Sequence, residues 1–389
     1  MKTIVNIKQS FYQMLSLIIL VLITSNCTQN GTAQTTPPPP PTNEKYIKIA
    51  LLLDTSNSMD GLINQAKSQL WTIVNELSRA VCDNTKPNLQ IALYEYGNDG
   101  LPASEGHIRQ VAPFTSDLDL ISEKLFALTT NGGNEFCGQV INTSLSQLAW
   151  NTDGDDLQLI FIAGNEPFTQ GRVSYRTACS SAKNKGVVVN TIFCGNFQEG
   201  VNTSWKDGAD LTGGNYMSIE QNTRTVYVSS PYDDRIAALN QKLNQTYIAY
   251  GSVGKAKKEN QVKQDQNASA YGSVNVVERT VSKSSHVYNN KTWDLVDASE
   301  DANFEIKDIE QSALPAEMQK MTDDEKEKYI EDNKAQRQSI QKEINELNQK
   351  RITYIAQQKQ SENADNTLDE AMLKAIRAQA KSKNFVFEK

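Results

Sequence analysis

The sequence predicts an α/β fold: a doubly wound, mostly parallel sheet followed by a C-terminal α-helical region. Three observations carry this. Apolar runs of strand length recur between residues 46 and 250 and alternate with amphipathic stretches. Those runs are continuously apolar, as in strands covered on both faces. Beyond residue 250 they stop, and helix start signals take their place. At 389 residues the chain is long enough for one large or two ordinary domains with linkers.

In chain order, the first feature is an export segment. Lys2 and Lys8 are the only charges before the apolar run MLSLIILVLIT at 14–24, which is short for a membrane span and sized for a signal-peptide core. Cys27 follows in ITSNC. This resembles a bacterial lipoprotein box, with Thr24 and Asn26 departing from the usual residues, and implies residues 1–27 as a signal peptide ending at a lipidated Cys27. Secretion with cleavage near Ala33 and a retained anchor are the alternatives. Residues 28–45 hold five consecutive prolines, a stiff tether. No acidic cluster follows Cys27. By resemblance to Bacteroidota-type lipoproteins, that places the chain facing the periplasm.

The strand runs are 47–53, 89–96, 157–163, 187–193 and 216–219, with a weaker one at 108–114. Helical segments fall at 61–80, 117–128, 137–148, 175–185 and 205–211. The block closes with a helix of about five turns after Ser230, an N-cap, and Pro231, at the first helical position. The first domain therefore spans 46–250. Residues 251–292 are polar and rich in lysine and glutamine, a linker or helix extension. In 293–389, Thr322 with Glu325 and Thr367 with Glu370 form capping boxes. Ile340, Ile344, Leu347 and Tyr354 follow short coiled-coil spacing, interrupted by Arg337 and Arg351.

Composition excludes several classes. Net charge is −7, and no basic stripe exists for nucleic acid. His107 and His286 are the only histidines, too few for a histidine-based triad or a multi-histidine zinc site. Cys82, Cys137, Cys179 and Cys194 allow two disulfides in an exported chain, with buried free thiols for some of them as the alternative, and spacing does not choose the pairing. Cys194 pairs with Cys137 or with Cys179 in the two arrangements that suit their predicted places.

The stretch IALLLDTSNSMDG, 49–61, carries the chemistry. A buried strand ends in Asp54, and Ser56 and Ser58 follow at alternate positions. In open α/β sheets, ligands bind beyond the carboxyl ends of the strands. One carboxylate and two hydroxyls on a tight loop suit a hard cation such as magnesium. A helix-capping cluster without metal is the plainer account of the same residues.

This arrangement resembles a von Willebrand factor type A domain with its metal-ion-dependent adhesion site, over residues 46–250. The resemblance implies Asp54, Ser56 and Ser58 as the first metal loop. A second loop would follow Gly132 and Gly133, where Asn134 stands in place of threonine with Glu135 after it. In the third loop Asn165 takes the aspartate position, with Glu166 beside it. The expected metal set is Asp54, Ser56, Ser58, Asn134, Glu135 and Asn165, holding magnesium or manganese. The family's mode implies a protein partner whose acidic side chain fills an open coordination position, and no catalysis. Other readings are a scaffold lipoprotein acting through its C-terminal helices and, more remotely, a metal-assisted hydrolase with Glu135 or Glu166 as base. Trp205 is expected in the core, and Glu95 at a solvent-facing strand edge.

Overall fold

The apolar run that ends in Asp54 forms the central strand, β1 (Tyr46–Asp54), of a six-stranded sheet in a computed structural model of the chain. Residues 44–387 are described, except 152–154, 221–227 and 360–366. The export segment, Cys27 and the tether up to residue 43 lie outside the described residues. The described chain falls within one compact unit, Glu44–Lys389.

The remaining strands are β2 (Ala80–Cys82), β3 (Asn88–Tyr96), β4 (Ile108–Thr115), β5 (Leu157–Gly164), β6 (Val188–Cys194) and β7 (Tyr216–Ile219). The sheet order is β4-β3-β1-β5-β6-β7, parallel except for β4, which runs antiparallel to β3. Side chains alternate along β1, so Ile47, Ile49, Leu51 and Leu53 enter one core while Ala50 and Leu52 enter the other. Helices α1 (Asp60–Leu77) and α2 (Leu118–Phe126) cover the first core. Helices α3 (Cys137–Gln147) and α4 (Tyr175–Asn184) cover the second. Short helices α5 (Phe197–Asn202) and α6 (Trp205–Asp210) join β6 to β7, and Trp205 is fully buried in the second core.

Helix α7 (Asp233–Gln245) is shorter than expected. Its first turn is closed from outside, because Ser230 donates from both N–H and hydroxyl to the Asp233 carboxylate, at 2.9 and 2.6 Å.

The polar segment after α7 is helical. Helices α8 (Gly251–Ala270) and α9 (Ser273–Lys283) pack against α2, and against α1 and α7, respectively. The buried positions of α8 are mostly polar, which is why the sequence shows no apolar stripe there, whereas α9 adds Val277 and Val281 to the first core. Gln261, Gln264, Arg279 and Lys283 are all buried. Arg279 donates to Asp119 (2.8 Å) and Asp265 (2.5 Å) and lies 4.7 Å from the Trp71 ring. Lys283 donates to Asn240 of α7 at 2.9 Å.

A short helix, α10 (Leu295–Ala298), precedes α11 (Asp323–Lys359), a single helix of 37 residues. The Thr322–Glu325 capping box forms. The coiled-coil reading is corrected here: α11 packs on α7, α9 and α10, and Ile340 and Ile344 join the first core. Arg337 and Arg351 do not interrupt a seam; they join Ile340 and Ile344 in the contact. Arg337 stacks on Tyr247 at 4.0 Å and donates to Asp294 (2.6 Å), Asp297 (2.5 Å) and the Thr246 carbonyl (2.7 Å). Arg351 donates to Asp233 (3.0 Å) and Glu278 (2.8 Å).

Helix α12 (Leu368–Ala380) then lies on the sheet beside α1, placing Leu368, Met372, Ala375 and Ile376 in the first core. Its Gln379 donates to Asn190 (2.5 Å) and Asn215 (3.1 Å). Strand β8 (Phe385–Phe387) pairs antiparallel with β2.

Candidate functional site

Strand order reverses at β1, whose neighbours β3 and β5 continue in opposite directions. Ligand crevices form at the carboxyl ends of such strands. Asp54 ends β1 there, fully buried. Its Oδ1 accepts the Ser56 N–H at 2.7 Å. Its Oδ2 is buried and has no donor among the described residues.

The nearest charged neighbour is Glu135, 2% exposed, held by the loop between Gly133 and α3. Glu135 N–H donates to Gln170 Oε1 at 2.6 Å, and Glu135 Oε2 accepts the Glu166 N–H at 3.3 Å. Burial, and then the Glu135 carboxyl against it, push Asp54 well above the usual carboxylate range. Two facing carboxylates need a shared proton or a cation.

The hydroxyls complete an oxygen cluster. Ser56 and Ser58 Oγ atoms are 3.4 Å apart, and Asn165 Nδ2 donates to Ser58 Oγ at 3.2 Å. Asn165 Oδ1 is buried without a donor among the described residues. Asn134 and the Glu166 side chain are exposed. Of the two acids that follow the asparagines, Glu135 therefore reaches inward and Glu166 does not.

Several residues here were missed in the sequence. Gly97 has φ +79°, and a Cβ on it would stand 2.7 Å from Asp54 Oδ1 and 2.8 Å from Glu135 Cγ. Only glycine leaves that space. A Cβ on Gly164 would meet the Tyr96 hydroxyl at 2.5 Å and Asp54 Oδ2 at 3.1 Å. Tyr96 donates to the Ala163 carbonyl at 2.9 Å, tying β3 to β5 beneath the cluster. The turn signal YGND, directly after a strand, is the one trace of Gly97 in the sequence. Trp205 Nε1 donates to the Glu166 carbonyl at 2.8 Å, so the core tryptophan also anchors the third loop.

Residues 48–210 match the von Willebrand factor type A domain. The type A fold agrees with the sheet and helix layers described above, and the helices after residue 250 lie outside the match. The chain is similar to the SpRpn10 VWA domain, at 17% identity over 44% of this chain and 87% of that one, TM-score 0.34. An aerotolerance-related membrane protein from Bacteroides fragilis gives 15% identity over 45% and 93%, TM-score 0.32. The conserved hypothetical protein BatB from Bacteroides thetaiotaomicron gives 14% over 57% and 99%, TM-score 0.34. No curated protein matches.

The possible disulfides do not form; Cys82, Cys137, Cys179 and Cys194 are free and buried. Cys82 and Cys194 lie in the first core, Cys137 and Cys179 in the second. The sheet thus separates Cys194 from both expected partners. Burial pushes the Cys137 and Cys194 thiols well above their ordinary value and Cys179 up to about 12, so sulfur adds no anionic ligand beside the oxygens. Glu95, expected at the solvent, is 1% exposed, because β3 lies inside the sheet between β4 and β1. Among the described residues no group of three or more histidine, cysteine or acidic side chains could hold a metal.

Proposed function

We propose that the carboxyl-end face of the sheet binds a protein partner and that a divalent cation, magnesium or manganese, completes the binding surface. The observation that carries this is the buried Asp54–Glu135 pair, with Asp54 Oδ2 and Asn165 Oδ1 lacking donors. Hard cations take oxygen ligands and keep several waters. Asp54, Ser56, Ser58, Glu135 and Asn165 are the residues that would hold the ion. When bound, the cation would neutralise the acid pair and offer an open position to a partner's oxygen, an acidic side chain being the most strongly attracted. Glu135 supplies the charge missing at Asn165, and exposed Asn134 stands at the rim, where it meets the partner or the ion's waters.

Type A domains are generally protein-interaction modules, which favours a binder over an enzyme. Glu166, the other acid considered as a base, points to solvent. We place the chain in a bacterial envelope, anchored through a lipid on Cys27, facing the periplasm and held off the membrane by the proline tether. The scaffold alternative is weakened because the C-terminal helices spend their inner faces on the type A domain.

Calorimetric titration of magnesium and manganese into the chain from Glu44 onward, beside Asp54→Ala and Glu135→Ala, tests this. Saturable binding lost in both variants supports it. No binding by the folded parent chain overturns the cation reading and leaves 54–61 as a strand-to-helix cap.

A further inference from the structure

Thr55 ties three loops of the cation face together. Its N–H donates to the Tyr96 carbonyl at 2.8 Å, and its carbonyl accepts the Asn131 N–H at 2.9 Å. Its hydroxyl donates to Glu95 Oε2 at 3.2 Å and lies 3.3 Å from the Tyr96 carbonyl. Glu95 stands at the top of β3, directly opposite Arg109 of β4, whose Nη2 pairs with the other Glu95 carboxylate oxygen.

A carboxylate buried in a sheet is unfavourable unless paired, and an apolar residue would serve packing at least as well. Leu51, Leu53, Ile91 and Leu93 show what this face of the sheet otherwise carries. What Glu95 adds is a fixed acceptor for a residue sitting between Asp54 and Ser56.

We propose that Glu95, oriented by Arg109, is a positioning residue for the cation loop: it fixes Thr55, and through Thr55 the directions in which Asp54, Ser56 and Ser58 present their oxygens. This rests on the divalent-cation reading above. Partners that orient ligands from behind typically contribute 10–100-fold to metal affinity. Thr55 is one bond removed from the ligands, so the lower end of that range applies.

The test measures manganese affinity by calorimetry, with the metal-free urea midpoint beside it, for the chain from Glu44 and four variants. Thr55→Val removes the hydroxyl and keeps the shape. Glu95→Gln keeps an acceptor but breaks the charge pair with Arg109. Their double variant and Thr55→Ser complete the set. Thr55→Val and Glu95→Gln are each expected to weaken manganese binding about tenfold, the double variant no further than the worse single, and Thr55→Ser to bind within about twofold of the parent. Parent-like affinity in both Thr55→Val and Glu95→Gln overturns the inference while leaving the cation reading intact. A parent chain that binds no manganese overturns that reading, and the inference with it. Should Thr55→Val fail to fold, Glu95→Gln decides against Thr55→Ser: a loss in the first alone supports positioning, and no loss in either overturns it.

Discussion

Arg279→Leu is the sharpest probe of how the C-terminal helices join the six-stranded sheet and its flanking helices. The Arg279 side chain is 1% exposed, and its partners Asp119 and Asp265 are 6% and 14% exposed. These values put the cluster in the buried regime, where removing one partner costs about 3–5 kcal/mol, not the 0–1 kcal/mol of a surface pair. The substitution leaves Asp119 with the Tyr288 hydroxyl (2.6 Å) and Asp265 with Asn240, Asn244 and Lys283. Burial works to raise the Asp265 pKa, but Arg279 and Lys283 outweigh it and hold the carboxyl well below the usual range. Part of that support is lost with the guanidinium, as is its contact with the Trp71 ring. With a urea m-value of about 3 kcal/mol/M, the midpoint should fall by roughly 1–1.7 M, read by far-UV circular dichroism. Adding Asp119→Asn to Arg279→Leu should recover at least half of the loss, since the uncompensated charge disappears while Asp265 keeps Lys283. A fall of less than about 0.3 M, under 1 kcal/mol on the same slope, would refute the reasoning: the two acids would then be solvated and α9 not seated between α1 and α7.

Four further outcomes are expected. Burial, then Asp294, raise Asp297 to about 6; its folded pKa lies above its unfolded one, so its contribution is full below about pH 4 and lost as pH rises through 6. Urea midpoints should therefore show Asp297→Asn gaining about 2–3 kcal/mol relative to the parent between pH 4 and 7. Glu135→Gln should raise metal-free stability by about 1 kcal/mol, because the amide donates where two acceptors met, while abolishing any melting shift with manganese. Gly97→Ala forces a Cβ against Asp54 at φ +79° and should cost about 1–3 kcal/mol in urea unfolding together with the manganese response. Because Asp54 is raised, a cation must displace its proton; manganese affinity should fall as pH is lowered, and calorimetry in buffers of different ionisation enthalpy should show proton release.

Much of the sheet was legible because buried parallel strands are continuous apolar runs. The runs at 47–53, 89–96 and 157–163 correspond to β1, β3 and β5 within a residue or two at each end. The three-residue strands β2 and β8 offer too little pattern to read. In the candidate site, Asp54, Ser56 and Ser58 stood out because one loop contains all three. Glu135 and Glu166 were indistinguishable, since facing inward or outward depends on Gly97 and Gln170, distant in sequence. The C-terminal region was legible as helical, but its docking was not, for a physical reason. Beside apolar contacts such as Ile340 and Ile344, that docking uses Arg279, Lys283, Arg337 and Arg351, and buried ion pairs look the same in sequence as solvated charges.

The seat of α12 bears on how the chain folds. Leu368, Met372, Ala375 and Ile376 fill the layer that α1 opens some three hundred positions earlier, and Leu368 N–H and Asp369 N–H are received by Gln65 and Gln69 of that helix at 3.1 and 2.9 Å. Loop closure over such a span is entropically costly and slow. A nascent chain stopped near residue 250 would hold a first core already covered by α1, α2 and α7 but lacking the apolar side chains of α12, an exposed gap that persists until residues 368–380 arrive.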